Sequence, residues 1–141
     1  MSRLEAFFAD KADKIENEFF VVSPRFKNQE TGEPIPWELK PLNEKEVSEI
    51  RKRCRKKVKG KYGQFTEETD SEAVSLKMVT ESVVFPNLKD QALQQSYQVI
   101  GAEELLKTML KSGEYGELLL KVQEISGYDQ DMNELVDEAK N

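Results

Sequence analysis

Histidine is missing from all 141 residues of this chain, and cysteine occurs once, at Cys54. The first absence removes the commonest general base and the commonest metal ligand together. With a single cysteine, a zinc site of the usual Cys/His composition cannot be assembled within one chain, and an internal disulfide is excluded. A reducing compartment is the default for such a sequence. No apolar run approaches the ~20 residues that a membrane span needs. The opening Met-Ser-Arg-Leu-Glu lacks the basic-then-apolar order of a secretory signal. The seven glycines are scattered, and they spell neither a phosphate-binding loop nor a dinucleotide fingerprint. These gaps point to a cytosolic protein without catalytic machinery, cofactor or metal.

Charge is what the sequence has in quantity. Charged residues make up 34% of the chain and hydrophobic ones 38%, enough apolar content for one domain with a real core. The net charge of −6 is unevenly spread: residues 1–50 carry −4, residues 51–61 carry +8, and residues 62–141 carry −10. The basic stretch consists of Arg51, Lys52, Arg53, Arg55, Lys56, Lys57, Lys59 and Lys61. Clustered cations can displace counterions from a nucleic acid. Only Tyr62 and Phe65 lie near as stacking partners, and the acidic remainder repels a polyanion. A solvated face that meets acidic protein surface is the alternative. The acid pairs Glu67-Glu68 and Glu103-Glu104 suit helix entries, where the dipole favours them, better than glycosidic chemistry.

The periodicities predict an α+β fold, a small N-terminal β-hairpin packed on a predominantly helical body. Ser2 and Glu5 have capping-box spacing, which predicts a short helix over 3–10 burying Leu4, Phe7 and Phe8. Phe19-Phe20-Val21-Val22-Ser23 is β-prone, and Ile35, Trp37 and Leu39 alternate on the far side of a polar turn holding Gly32 and Pro34. A hairpin over about 18–42 follows. Pro36 lacks an N–H and places its strand at a sheet edge.

From Asn43 the period turns helical, with Val47, Ile50, Cys54 and Val58 in one narrow stripe. Cys54 reads as a small core residue rather than a nucleophile. That helix would present Arg51, Lys52, Arg55 and Lys56 away from the stripe. Residues 59–70 read as a loop. Asp70 caps a helix carrying Ala73, Leu76, Val79 and Val83, ended by Pro86. Further helices are predicted over 88–97 (Leu88, Ala92 and Leu93 inward), 102–111 (Leu105, Leu106, Met109 and Leu110 inward) and 114–126. The last of these buries Tyr115, Leu118, Leu119, Val122 and Ile125, with Ser112-Gly113 as a break before it and Gly127 as its C-cap. The division expected is one domain over 1–127 (helices about 43–127) and a loosely attached C-terminal helix in 128–141. Met132, Leu135, Val136 and Ala139 form that helix's apolar stripe, a candidate partner site.

Several segments, in order, resemble one family: Leu4-Glu5-Ala6-Phe7-Phe8, Val21-Val22-Ser23-Pro24-Arg25-Phe26, Pro36-Trp37-Glu38-Leu39-Lys40, Val84-Phe85-Pro86-Asn87-Leu88, Gln95-Ser96-Tyr97 and Gly101-Ala102-Glu103-Glu104-Leu105-Leu106. Met109-Leu110, Gly113-Glu114-Tyr115 and Val122-Gln123-Glu124-Ile125 continue the series. Over about residues 4–128 the chain resembles the XkdN-like phage tail assembly chaperones. The resemblance implies a phage or prophage protein of the host bacterial cytoplasm, absent from the mature virion. It implies binding to the tape measure protein, a very long helical chain prone to aggregate before the tail tube surrounds it. The tail tube protein and a second copy of this chain are further candidate partners. Apolar grooves between helices, with Met78, Met109 and Met132 able to repack, would suit such binding. Chaperones of this class are often made in two lengths by a ribosomal slip, and the closing Ala139-Lys140-Asn141 is compatible with a slippery A AAA AAC.

Two other functions stay open on the sequence. One is a nucleic-acid-binding adaptor using 51–61, although the acidic remainder weighs against nucleic acid as a partner. The other is a small structural protein of the head–tail junction.

Overall fold

A computed structural model describes residues 2–128. The strands β1 (Glu18–Phe20) and β2 (Trp37–Leu39) pair antiparallel, with Phe20 opposite Trp37 and Glu18 opposite Leu39, as the alternation predicts. Between them the chain folds back at Gly32, whose φ of 75° suits glycine, and Ile35 N–H reaches the Phe26 carbonyl at 2.8 Å.

The expectation of an edge position for the Pro36 strand is wrong. A third strand, β5 (Val83–Phe85), pairs on the other side of β2, so the sheet order is β1-β2-β5 and β2 is central. Pro36 is accommodated because it stands just before the paired residues, where its missing N–H breaks no ladder bond.

The helix α1 (Glu44–Arg53) begins with the full capping box that Asn43 and Glu46 predict. It stops at Cys54 instead of running on to Val58. The strands β3 (Arg55–Lys59) and β4 (Phe65–Thr69) then form a hairpin where the sequence suggests helix and loop. Opposite charges decide this: Lys56 pairs with Glu68 and Lys57 with Glu67 across the strands. Gly63, at φ 73°, supplies the left-handed residue of the connection.

The helix α2 (Ser71–Ser82) is capped by Asp70 as predicted, Ala73 N–H donating to its carboxylate at 3.2 Å. It ends before Val83, which was expected within the helix. Pro86 disfavours a helical conformation at the residue before it, and the β-branched pair Val83-Val84 prefers the extended one. The turn between helix and strand is locked to β2's exit: Ser82 Oγ donates to the Lys40 carbonyl at 2.8 Å, and Lys40 N–H to the Ser82 carbonyl at 2.7 Å.

Three helices complete the body: α3 (Gln91–Ser96), α4 (Ala102–Met109) and α5 (Ser112–Gln123). Leu88 is buried as expected, but Ala92 is exposed. Ser112-Gly113 opens α5 rather than separating two helices, and the break falls at Leu110-Lys111. A wide π-type turn, Glu124–Tyr128, follows, with Gly127 at φ 99° as the predicted C-cap position requires. Ser126 Oγ in that turn accepts the Leu42 N–H at 3.0 Å.

The core lies where α2 packs on α1, α4 and α5 and where the inner face of the three-stranded sheet closes over them. Trp37 and Leu39 from β2, Ile50 from α1, Cys54 just after α1, Val79 from α2, Leu105 and Leu106 from α4, and Leu118 and Val122 from α5 are all buried. One expected contributor is absent from it. Residues Leu4–Phe7 form only a single 3-10 turn, and Leu4, Phe7 and Phe8 stand exposed. Ser2 Oγ does accept the Glu5 N–H at 3.3 Å, but one such bond does not nucleate a helix.

Candidate functional site

A shallow groove of about 640 Å³ runs where α2, α4 and α5 meet. Its walls are Ala73 and Leu76 from α2 and Tyr115 and Leu119 from α5, with Leu110 as floor. The helical periods place these side chains in pairs: 73 and 76 are three apart, 115 and 119 four apart, so each pair shares one helix face. Leu76, Tyr115 and Leu119 are half-buried, touching the core with one side and water with the other. Asp70, Glu72 and Lys107 form a charged rim. Burial, and then Glu72, hold the Tyr115 phenol above its ordinary pKa.

A larger depression, about 890 Å³, lies between α2 and the start of α4, but its chemistry is different. Lys77 pairs with Glu103, and Arg53 with Glu81, along its walls. Val83 and Leu88 are buried there, and Ile100 is the exposed apolar side chain among these charges. A second exposed apolar surface is the outer face of the sheet. Phe19 on β1 and Phe85 on β5 both lie opposite Glu38, and Asn17 holds that carboxylate at 2.8 Å.

The predicted basic site is not one face. Arg51 and Lys52 belong to α1, whereas Arg55 and Lys56 belong to β3, because the helix ends at Cys54. Arg51 pairs with Glu44, and Arg55 with Glu67 at 3.5 Å. Lys56 faces Glu68 across the hairpin, and Lys52 borders a depression shared with Glu46, Glu49 and Glu81. Each predicted cation therefore has a carboxylate partner or neighbour, a pattern that lowers the local positive field. Met78 and Met109, expected to line a groove, are buried in the core. Met132, Leu135, Val136 and Ala139 lie outside the described residues.

Cys54 is buried, and burial raises its thiol pKa, as befits a packing residue. Among the described residues no group of His, Cys, Asp or Glu is arranged to hold a metal, and no helix is long and apolar enough to cross a membrane. The periodicity predicts Tyr115 and Leu119 buried, and the structure leaves both half-buried. Periodicity finds the apolar face of a helix but cannot say how much of that face a neighbour covers.

Residues 4–140 match the family model described as phage XkdN-like tail assembly chaperone protein. The chain is 31% identical to the phage-like element PBSX protein XkdN of Bacillus subtilis (strain 168), over 98% of its own length and 93% of the relative's. It is 32% identical to YqbN of the same organism, over 85% and 80%. The crystal structure of YqbN superposes with a TM-score of 0.73 at 25% identity, covering 90% of this chain and 98% of that one.

Proposed function

Because the chain belongs to the family of phage XkdN-like tail assembly chaperones, which are not enzymes, we propose that it binds the tape measure protein and keeps it soluble until the tail tube closes around it. The observation that carries the reading is the groove between α2, α4 and α5. An amphipathic helix enters such a groove through anchors at i, i+3 or i+4, and i+7, while its polar face stays in water. Leu76, Leu110, Tyr115 and Leu119 supply the apolar surface, and Glu72 and Lys107 on the rim can select the flanking charges.

The shallowness of the groove fits a partner that must later be released. Covering about three leucine-sized side chains contributes roughly 4–8 kcal/mol before the costs of association, so each contact is weak and reversible. Many similar helical segments on one long chain then recruit many copies. The stripe of Met132, Leu135, Val136 and Ala139 is proposed as a second contact of the same kind, and Arg51, Lys52, Arg55 and Lys56 as a salt-sensitive contribution through charge. Transfer to the tail tube protein displaces the chaperone, which is therefore absent from the finished particle.

Co-expression tests the reading. The tape measure protein of the same phage element is produced with and without this chain, and the soluble fraction is resolved by size exclusion. A complex that carries the tape measure into the soluble fraction is expected. Equal insolubility in both cultures, with no co-eluting complex, refutes the reading.

A further inference from the structure

The β3–β4 hairpin is an arm. It leaves the body at Cys54 and rejoins it at Asp70, where the Asp70 N–H donates to the Cys54 carbonyl at 2.6 Å. Of its strand residues only Val58 is even half-buried. A two-stranded sheet has no inner strand, so among the described residues β3 and β4 each present an open edge of unpaired backbone groups. The two edges differ in sign. β3 carries Arg55, Lys56, Lys57 and Lys59, and β4 carries Glu67 and Glu68.

Charges on an open edge ordinarily prevent strand addition. Here the protection depends on which edges meet. Two copies joined β3 to β3 would set lysine beside lysine, and β4 to β4 would set glutamate beside glutamate. Only β3 of one copy beside β4 of another opposes cations to carboxylates, and it also continues the antiparallel alternation of the hairpin. The four cations of β3 outnumber the two carboxylates that face them within one arm, which leaves charge for a second acidic strand. Phe65 and Tyr62, exposed at the turn end, would be covered by the neighbouring arm.

We propose that this arm is a self-recognition element: β4 of one copy adds to the open edge of β3 in the next, head to tail. The contact is heterologous, so a chain or ring of copies forms rather than a two-fold dimer. Its strength comes from a short ladder and exposed ion pairs, so it answers steeply to concentration and salt. It needs no tail partner, and its test is separate from that of tape measure binding.

Sedimentation velocity of the full chain decides it. At low salt the weight-average sedimentation coefficient rises with concentration, and at about 1 M salt, where the screening length is about 3 Å, the rise disappears. A variant in which residues 56–68 are replaced by a short glycine-containing turn keeps its melting temperature and loses the rise. The fourfold charge swap Lys56→Glu, Lys57→Glu, Glu67→Lys and Glu68→Lys keeps complementarity both within and between copies. It associates with itself as the native chain does, yet the two proteins do not form mixed species. A native chain that stays monomeric at low salt, or an armless variant that associates equally, or free mixing of native and swapped chains overturns the proposal.

Discussion

Arg25 and Glu114, 89 residues apart in sequence, clamp the N-terminal hairpin to the start of α5. The guanidinium donates to both carboxylate oxygens of Glu114 and, from one terminal nitrogen, to the Met109 carbonyl at 3.0 Å. The same group therefore satisfies a carbonyl at the end of α4, where no helical partner remains. Arg25 also lies 4.9 Å over the Phe26 ring, which in turn packs against Trp37. One side chain thus joins the hairpin, α4 and α5.

That clamp has a pH signature. Arg25 first, then the Ser23 hydroxyl and the Lys111 N–H, hold the Glu114 carboxyl at about 2 instead of the usual 4.5. A carboxyl depressed on folding stabilises the native state above its unfolded pKa and loses that contribution as pH falls towards the folded one. The melting temperature of the native chain is expected to fall between pH 4.5 and about 2 more steeply than that of Glu114→Gln. The gap is present at neutral pH and closes at the acid end. Circular dichroism melts across that range check it, and parallel profiles with a constant gap would contradict it.

Burial separates two sets of apolar residues that look alike in sequence. Leu118 is fully buried, and Leu118→Ala is expected to cost ~2–5 kcal/mol in urea unfolding. Phe7 and Phe8 are 81% and 50% exposed, and replacing both with serine is expected to change stability by no more than ~0.5 kcal/mol. A large loss in the second variant would place the N-terminal segment in the core.

The helical half of the fold was legible because its apolar residues recur at the helical period and its entries carry caps. Asn43 with Glu46, and Asp70 with Ala73, sit where the sequence puts them, and Leu105, Leu106, Met109 and Leu110 are inward as read. The misread elements are the three strands β3, β4 and β5 and the N-terminal segment, where Leu4–Phe7 form a single 3-10 turn instead of a buried helix. Val83-Val84-Phe85 continues a helical spacing by coincidence, and only its pairing with Glu38 and Leu39 makes it a strand. Arg55–Lys59 has one apolar residue, so no periodicity could reveal it. The available signal was the lysine pair at 56–57 answered by the glutamate pair at 67–68 across two glycines. The groove was beyond reach for another reason, since exposure of Leu76 and Leu119 depends on how far apart α2 and α5 are held.

The stripe of Met132, Leu135, Val136 and Ala139 carries its own expectation. Truncation after Gly127 should leave the melting temperature nearly unchanged and weaken binding to the tape measure protein. Scanning calorimetry and a pull-down read the two effects separately. A marked fall in stability would instead make the stripe part of the fold.

The most direct measurement is calorimetric titration of the purified chain with synthetic amphipathic segments of the tape measure protein, beside the same titration of Leu119→Glu. Leu119 lines the groove and is half-exposed, so a glutamate there disturbs the groove while keeping its charge in water. Saturable binding to the native chain in the micromolar range, about −8 kcal/mol, is expected. The variant should lose at least about tenfold in affinity, roughly 1.4 kcal/mol, while its unfolding transition stays cooperative. Absence of binding to every segment, or equal binding by a folded Leu119→Glu chain, would contradict the account.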